Sequence, residues 1–392
     1  MTTAAPPSWD LVVFSDDWGR RPSAPQHLGR HLAVGRRVLW VEPAGLRRPR
    51  VALADLRRGA QKMRGFLPGG APASDSPWLP TPASLTRLIP PVLPAYGVGA
   101  VRLANDALMG RAVRSAMARA GIVSPVVITT IPTMAGVLGS LGERASIYLR
   151  MDDFGQWPGY DHDAIAERES ALLRAVDALV APSKALLDLE TPARKLLLPH
   201  GVDAGHFAVA SGVDPLGDVP RPRVLVSGRL DERIDFELLR GLLAEPDLQL
   251  VLLGEDHCVP DDLTSHPRVH LRAAVPYGEL GPWLLGSDVH LMPYACTALG
   301  HSLAPLKTRE LLATGLPVVS TPVAGVRDDD EAARWVGLAT GAQQARAAIK
   351  ACLAEPARLG VERRAAMASL SWESRAARLS DLVQRLLTSA PL

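Results

Sequence analysis

Short apolar runs alternate with longer helical patterns through most of the chain. The first series is WDLVVFS (9–15), RVLWVEP (37–43), VVITTIP (126–132), SIYLRMDD (146–153), ALVAPS (178–183) and KLLLPHG (195–201). A second series holds RVLVSGR (223–229), LQLVLLGE (248–255), VHLRAAV (269–275), VHLMPY (289–294) and PVVSTP (317–322), with WVGLAT (335–340) as a candidate sixth run. The runs are near-continuously apolar, not alternating. That is the pattern of parallel strands covered on both faces. Helical stretches separate them, such as DHDAIAERESALLRAV (161–176), which opens on a candidate Asp cap.

Two successive strand–helix series predict two doubly wound α/β domains. The break is expected in the Gly-, Pro- and Asp-rich segment 208–222. The predicted boundaries are 1–207 for the first domain, 208–371 for the second, and 372–392 for a closing element built on the amphipathic WESRAARLSDLVQRLL (372–387). Residues 47–100 break the rhythm with many Pro and Gly and a basic cluster: Arg47, Arg48, Arg50, Arg57, Arg58, Lys62 and Arg64. LTRLIPPVLPAYG (85–97) follows, apolar but interrupted by Pro. Two readings stay open for this stretch. One is a solvated, helix-containing excursion; the other is an acceptor-binding or membrane-surface region, because a basic face beside apolar residues suits anionic lipid.

Composition narrows the function classes. At 392 residues the chain exceeds one ordinary core, which supports the two-domain reading. A net charge of +2 gives no argument for a nucleic-acid partner. Cys258, Cys296 and Cys352 are odd in number and lack metal-ligand spacing. Neither a disulfide framework nor a zinc site is expected, and a cytoplasmic location fits. The start MTTAAPPSWD has no signal-peptide pattern, and no long uncharged apolar run predicts a membrane span. No G-x-G-x-x-G opens either sheet and no Walker loop occurs, which argues against a dinucleotide oxidoreductase or a P-loop enzyme.

The richest chemistry lies in PLKTRELLATGLPVVSTPVAGV (305–326). It reads as a loop, a short helix opened by Pro305, Gly315 past the helix end, and a buried strand. Such a helix start presents backbone N–H groups suited to a diphosphate. Glu310 could accept hydrogen bonds from two vicinal ribose hydroxyls. A plain surface helix before a core strand explains the same residues. In VLVSGRLDERIDFELL (224–239), a buried strand ends in Ser-Gly-Arg, and Arg229 and Arg233 could together neutralise a diphosphate. Ordinary surface arginines are the alternative.

Together these segments resemble the nucleotide-sugar site of family 4 glycosyltransferases with the GT-B fold. The resemblance spans roughly 9–387, and its Pro-Leu-Lys before the Glu is similar to a teichuronic-acid-type branch. It implies two Rossmann-like domains facing across a cleft, with a nucleotide-diphosphate sugar, UDP-linked by default, on the C-terminal one. Glu310 matches the family's ribose-contacting Glu. Ser302 stands where the family has a second Glu that touches the donor sugar, which leaves the sugar unspecified. The implied donor residues are Arg229, Arg233, Ser302, Leu306, Lys307 and Glu310. Arg229, Arg233 and Asp152 are the catalytic candidates. No cofactor and no metal are expected, the nucleotide sugar being a substrate.

The same branch resembles VVFSDDWGRRPSAPQHLGRHLA (12–33) through its Pro-Gln-His. This implies that Asp16, Asp17 and Trp18 line an acceptor side, for a glycan or small molecule. His27 is either near the chemistry or a structural residue of a helix start. In SIYLRMDDFGQWPGY (146–160), Asp152 either contacts an acceptor hydroxyl or caps the following turn. In LLLPHGVDAGHF (196–207), a Gly-Val-Asp turn is read as structural, with His200 as a second candidate to face the donor. The Asp run 328–330 reads as a solvated loop or helix cap. Besides glycosyl transfer, two readings stay open: a nucleotide-sugar epimerase of the same fold, and a non-catalytic nucleotide-binding member. Peripheral membrane contact on the cytoplasmic face, through 47–64, is a further expectation.

Overall fold

The computed structural model describes residues 9–43, 79–92, 99–157, 160–208 and 212–388. The basic cluster at 47–64, with the membrane contact expected of it, lies outside the described residues. The chain divides into two compact units. The first comprises Met1–Pro182, Leu186–Leu198 and Ala376–Leu392; the second comprises Ser183–Ala185 and Pro199–Arg375. The passage between them therefore falls at Leu198–Pro199, ahead of the 208–222 segment. Residues past it bind within the second unit: His200 Nε2 donates to Ala304 O at 2.9 Å, and Val202 bridges to Ser371.

In the first unit every apolar run of the first series becomes a strand. They are β1 (Leu11–Phe14), β2 (Val38–Val41), β4 (Val126–Thr129), β5 (Ala145–Leu149), β6 (Ala178–Ala181) and β7 (Lys195–Leu197). β3 (Leu85–Leu88) is an addition, formed where the Pro-broken pattern predicted no strand. It pairs in parallel with β2, Val38 opposite Leu85. Only Leu85 of its four residues is buried, so LTRL lacks a continuous apolar signature, and Pro90 and Pro91 follow close behind. The parallel sheet runs β3-β2-β1-β4-β5-β6-β7. Val12, Phe14, Leu39 and Val127 bury one face against Met109 and Val113 of the helix Gly99–Ala120.

The second unit holds β8 (Arg223–Ser227), β9 (Gln249–Leu253), β10 (Val269–Arg272), β11 (Val289–Met292), β12 (Val318–Ser320) and β13 (Val336–Leu338). WVGLAT thus supplies the sixth strand. The order is β10-β9-β8-β11-β12-β13, all parallel. Val224, Leu250, Leu252 and Leu291 pack against Leu238, Leu239 and Leu242 of the helix Phe236–Leu242 and Ile349 of the helix Ala342–Leu353. Each such fully buried side chain contributes about 1.5–3 kcal/mol.

Both sheets reverse their winding at one place, between β1 and β4 and between β8 and β11. In open α/β sheets the crevice at the carboxyl ends of those strands is where ligands bind. Among the described residues, no helix is long and apolar enough to cross a membrane.

Candidate functional site

At the β8/β11 switch point of the second unit, three cationic side chains converge on the strand ends. β8 ends at Ser227, and Lys307 Nζ donates to the Ser227 carbonyl. The same ammonium lies 5.6 Å from the centre of the Tyr294 ring, just past β11. Gly228 sits between them at φ +115°, and a Cβ there would lie 2.6 Å from Lys307 Nζ. The positive φ favours glycine here, and any side chain would displace the lysine head.

Arg229 and Arg233 are gathered by one carboxylate. Arg233 forks onto Asp231 at 2.9 Å through each of Nε and Nη2, and its own N–H donates to Asp231 Oδ1 at 3.2 Å. Arg229 Nε lies 3.3 Å from Asp231 Oδ2. Burial opposes ionisation of Asp231, yet the hydrogen bonds and charge of Arg233, aided by Arg229, hold its carboxyl below the ordinary value. The loop carrying these arginines is tied to the loop after β11: Ala295 N donates to Arg233 O, and Asp235 N to Pro293 O. Asp231 escaped the sequence reading, although Arg-Leu-Asp-Glu-Arg at 229–233 carries the signal: a carboxylate two residues from each of two cations.

The helix Lys307–Ala313 forms as predicted, and Gly315 follows its end at φ +84°. Glu310 is buried on this helix, and Tyr277 Oη donates to its Oε1 at 3.2 Å. Desolvation pushes the Glu310 carboxyl up to about 7, against the lowering influence of Tyr277 and Lys307. Arg309, 1% exposed, turns to the other side and binds Asp329 at 2.8 and 2.9 Å. This corrects the solvated reading of the Asp run: Asp329 is 5% exposed and paired, while its neighbour Asp330 is open to solvent.

Ser302 ends the short helix Ala298–Ser302, which Thr297 caps by accepting from Gly300 N. The Ser302 hydroxyl donates to Leu299 O at 3.0 Å, so its proton is spent within its own turn. Leu306 occupies the residue before the helix Lys307–Ala313 and is half-buried. His200 reaches the adjoining loop through its bond to Ala304 O. Burial lowers this imidazole below its ordinary value, so it stays neutral with Nε2–H as donor.

At the β1/β4 switch point of the first unit, polar groups line up from Thr130 to Gln26. Thr130 Oγ1 donates to Ser15 Oγ at 3.0 Å, and Ser15 Oγ to Asp16 Oδ1 at 3.1 Å. Gln26, fully buried at the start of the helix Ala24–Leu32, donates to Asp16 Oδ2 and Asp17 O and accepts from Gly19 N. This one amide pins the loop 16–19. Asp16 and Asp17 are solvent-accessible. Trp18 and His27 depart from an acceptor-lining surface, with exposures of 3% and 1%. Trp18 is held edge-on against Trp40 at 4.7 Å, and its backbone N–H donates to Glu42 Oε1. Asp152 is half-buried past β5. The residue that precedes the short turn Phe154–Gln156 is Asp153, lying 3.4 Å from Arg150 Nη2. Behind it Arg150, Glu169 and Tyr148 form a buried network, with Tyr148 Oη donating to Glu169 at 2.7 Å.

No family model matches the chain, and no curated protein matches it by sequence. Its fold has clear relatives among solved structures. Sucrose-phosphate synthase from Thermosynechococcus elongatus superposes with a TM-score of 0.70 at 17% identity, covering 97% of this chain and 100% of that one. Anabaena HepE in complex with UDP and glucose gives 0.66 at 13% identity, over 96% and 99%. WaaG, a glycosyltransferase involved in lipopolysaccharide biosynthesis, gives 0.64 at 14% identity, over 97% and 100%. At these identities the likeness is one of fold: two parallel-sheet α/β units of the GT-B type.

Proposed function

We propose that the chain is a glycosyltransferase that takes a sugar from a nucleotide-diphosphate donor, UDP-linked by default, and passes it to an acceptor hydroxyl. The carrying observation is the cationic cluster at the β8/β11 switch point, with Arg229 and Arg233 gathered by Asp231 and Lys307 anchored on Ser227 O. In this reading the cluster holds the donor diphosphate and Glu310 accepts the ribose hydroxyls. The HepE structure with UDP supports the choice of nucleotide.

Departure of the nucleoside diphosphate develops negative charge on its terminal phosphate. Cations held in place before the reaction stabilise that charge without reorganising. Arg229, Arg233 and Lys307 take this role, and the reaction is assigned as metal-independent and retaining. Asp16 and Asp17 receive the acceptor, which Asp152 assists. Ser302 approaches the donor sugar with a hydroxyl in place of a carboxylate, so the sugar class stays open within hexoses. The acceptor class is a cell-surface glycan intermediate or a secondary metabolite, reached from the cytoplasmic side and, through 47–64, from a membrane surface.

A thermal-shift panel of UDP, GDP, ADP and their sugar conjugates tests the reading. A ligand at 100 times its Kd stabilises by about 2.7 kcal/mol. UDP is expected to raise the melting temperature of the wild type and to lose that effect in R229A. No response to any nucleotide would sink the proposal. Donor turnover without an acceptor would point instead to an epimerase, and binding without turnover to a non-catalytic member.

A further inference from the structure

Tyr277 belongs to no motif of the sequence, yet the fold holds it rigidly beside Glu310. It lies in the turn Tyr277–Glu279 after β10, and its ring stacks on His206 with centres 4.8 Å apart and planes 6° from parallel. Phe207, fully buried, meets the same ring edge-on at 5.6 Å. His206 Nε2 donates to the Tyr277 carbonyl at 2.9 Å. Two aromatic contacts and one backbone bond thus fix the phenol whose hydroxyl donates to Glu310 Oε1.

We infer that Tyr277 is a positioning residue for Glu310, aiming its carboxylate and holding it ionised for the donor's ribose hydroxyls. The inference rests on the donor reading above and adds a residue and a pH dependence to it. A carboxylate accepts at both oxygens, and Tyr277 takes one site on Oε1, which orients the group for further donors. Glu310 accepts vicinal hydroxyls well only when it is ionised. Desolvation pushes its carboxyl up to about 7, and the Tyr277 hydrogen bond works against that push. Lys307, on the same helix, favours the ionised form as well. His206 stacks on the Tyr277 ring. Two cations of the packed helix Arg358–Ala368 are directed elsewhere: Arg363 donates to Gly315 O and Arg364 to Thr314 O. Arg309 is turned to Asp329.

The test uses the full-length chain as wild type, Y277F and E310Q. Two measurements are taken from pH 5.5 to 8.5: the carboxyl titration of Glu310 by carbon NMR without ligand, assigned by its absence in E310Q, and UDP affinity by calorimetry. Phenylalanine keeps the aromatic stack, and removing only the hydroxyl should raise the titration midpoint by about one pH unit. The ionised fraction at pH 7 then falls from about half to about a tenth, so UDP should bind about fivefold more weakly. E310Q should lack this step. UDP's terminal phosphate titrates near pH 6 in all three proteins, so the difference between variants isolates Glu310. An unmoved midpoint in Y277F would overturn the inference. So would a raised midpoint with UDP affinity equal to wild type. A raised midpoint in a protein whose wild type binds no nucleoside diphosphate would overturn the donor reading, while supporting the coupling of Tyr277 to Glu310.

Discussion

Asp329→Ala should cost far more stability than the same change one residue later. Arg309 is 1% exposed and reaches the Asp329 carboxylate with three contacts, at 2.8, 2.9 and 3.2 Å. Truncation leaves a guanidinium that water cannot reach. Removing one partner of a buried ion pair costs about 3–5 kcal/mol. Glu331 Oε2, 2.8 Å from Arg309 and shared with Arg375, remains as a partner, so the lower end of that range applies. For a unit of roughly 180 residues, about 3 kcal/mol lowers the melting temperature by about 6–12 °C. Asp330 is the control. Its side chain is 83% exposed, its ion partner Lys184 lies 3.5 Å away at 58% exposure, and its removal should stay within about 0.5 kcal/mol. Differential scanning calorimetry of the full chain compares the two variants. If D329A melts within about 2 °C of D330A, the buried-pair account of this loop is refuted.

Two more predictions concern the second unit, beside the nucleotide panel and the Tyr277 titration. Gly254 stands at φ +157°, and a Cβ there would lie 1.6 Å from the backbone oxygen of Gly228. G254A should therefore lose more than about 4 kcal/mol, whereas G139A, with open space around its Cβ, should lose only about 1 kcal/mol; equal soluble yield and melting temperature for both would contradict this. His290 is fully buried between the Ser287 and Thr314 hydroxyls, and desolvation drives its imidazole down to about 3. Its folded value lies below the unfolded value near 6.5, so the unfolded chain binds the extra proton and stability falls as pH drops through that window. Between pH 7 and pH 5 the loss from this group is about 2 kcal/mol, and a pH series of urea melts should show it in the wild type and not in H290N.

The central strands were legible because a parallel strand buried on both faces must be apolar throughout, and eleven of the thirteen lie on runs that stood out at once, with WVGLAT as the marked candidate for a twelfth. β3 was not, since only Leu85 of its four residues is buried and prolines break the run that follows it. Arg229, Arg233 and Glu310 stand out as candidates by type and by their places near a strand end or on a short helix, Lys307 enters through the family resemblance, and the fold brings the three cations to the end of β8. Trp18 joins Asp16 and Asp17 as an acceptor candidate only through the family resemblance, and a one-dimensional pattern does not report which neighbour a loop turns inward; of the two readings open for His27, its burial favours the structural one.

The sequence alone determined the two strand–helix series and the chemical character of the donor candidates. Both follow from local rules: burial on two faces demands apolar runs, and anion binding demands cations near a strand end. Tertiary structure decided which of three consecutive aspartates is buried against Arg309, that one carboxylate gathers both arginines, and that Tyr277 meets Glu310 across 33 positions of chain. Those outcomes depend on distances between segments remote in sequence. Desolvation and hydrogen bonding act through such distances, and no local pattern encodes them.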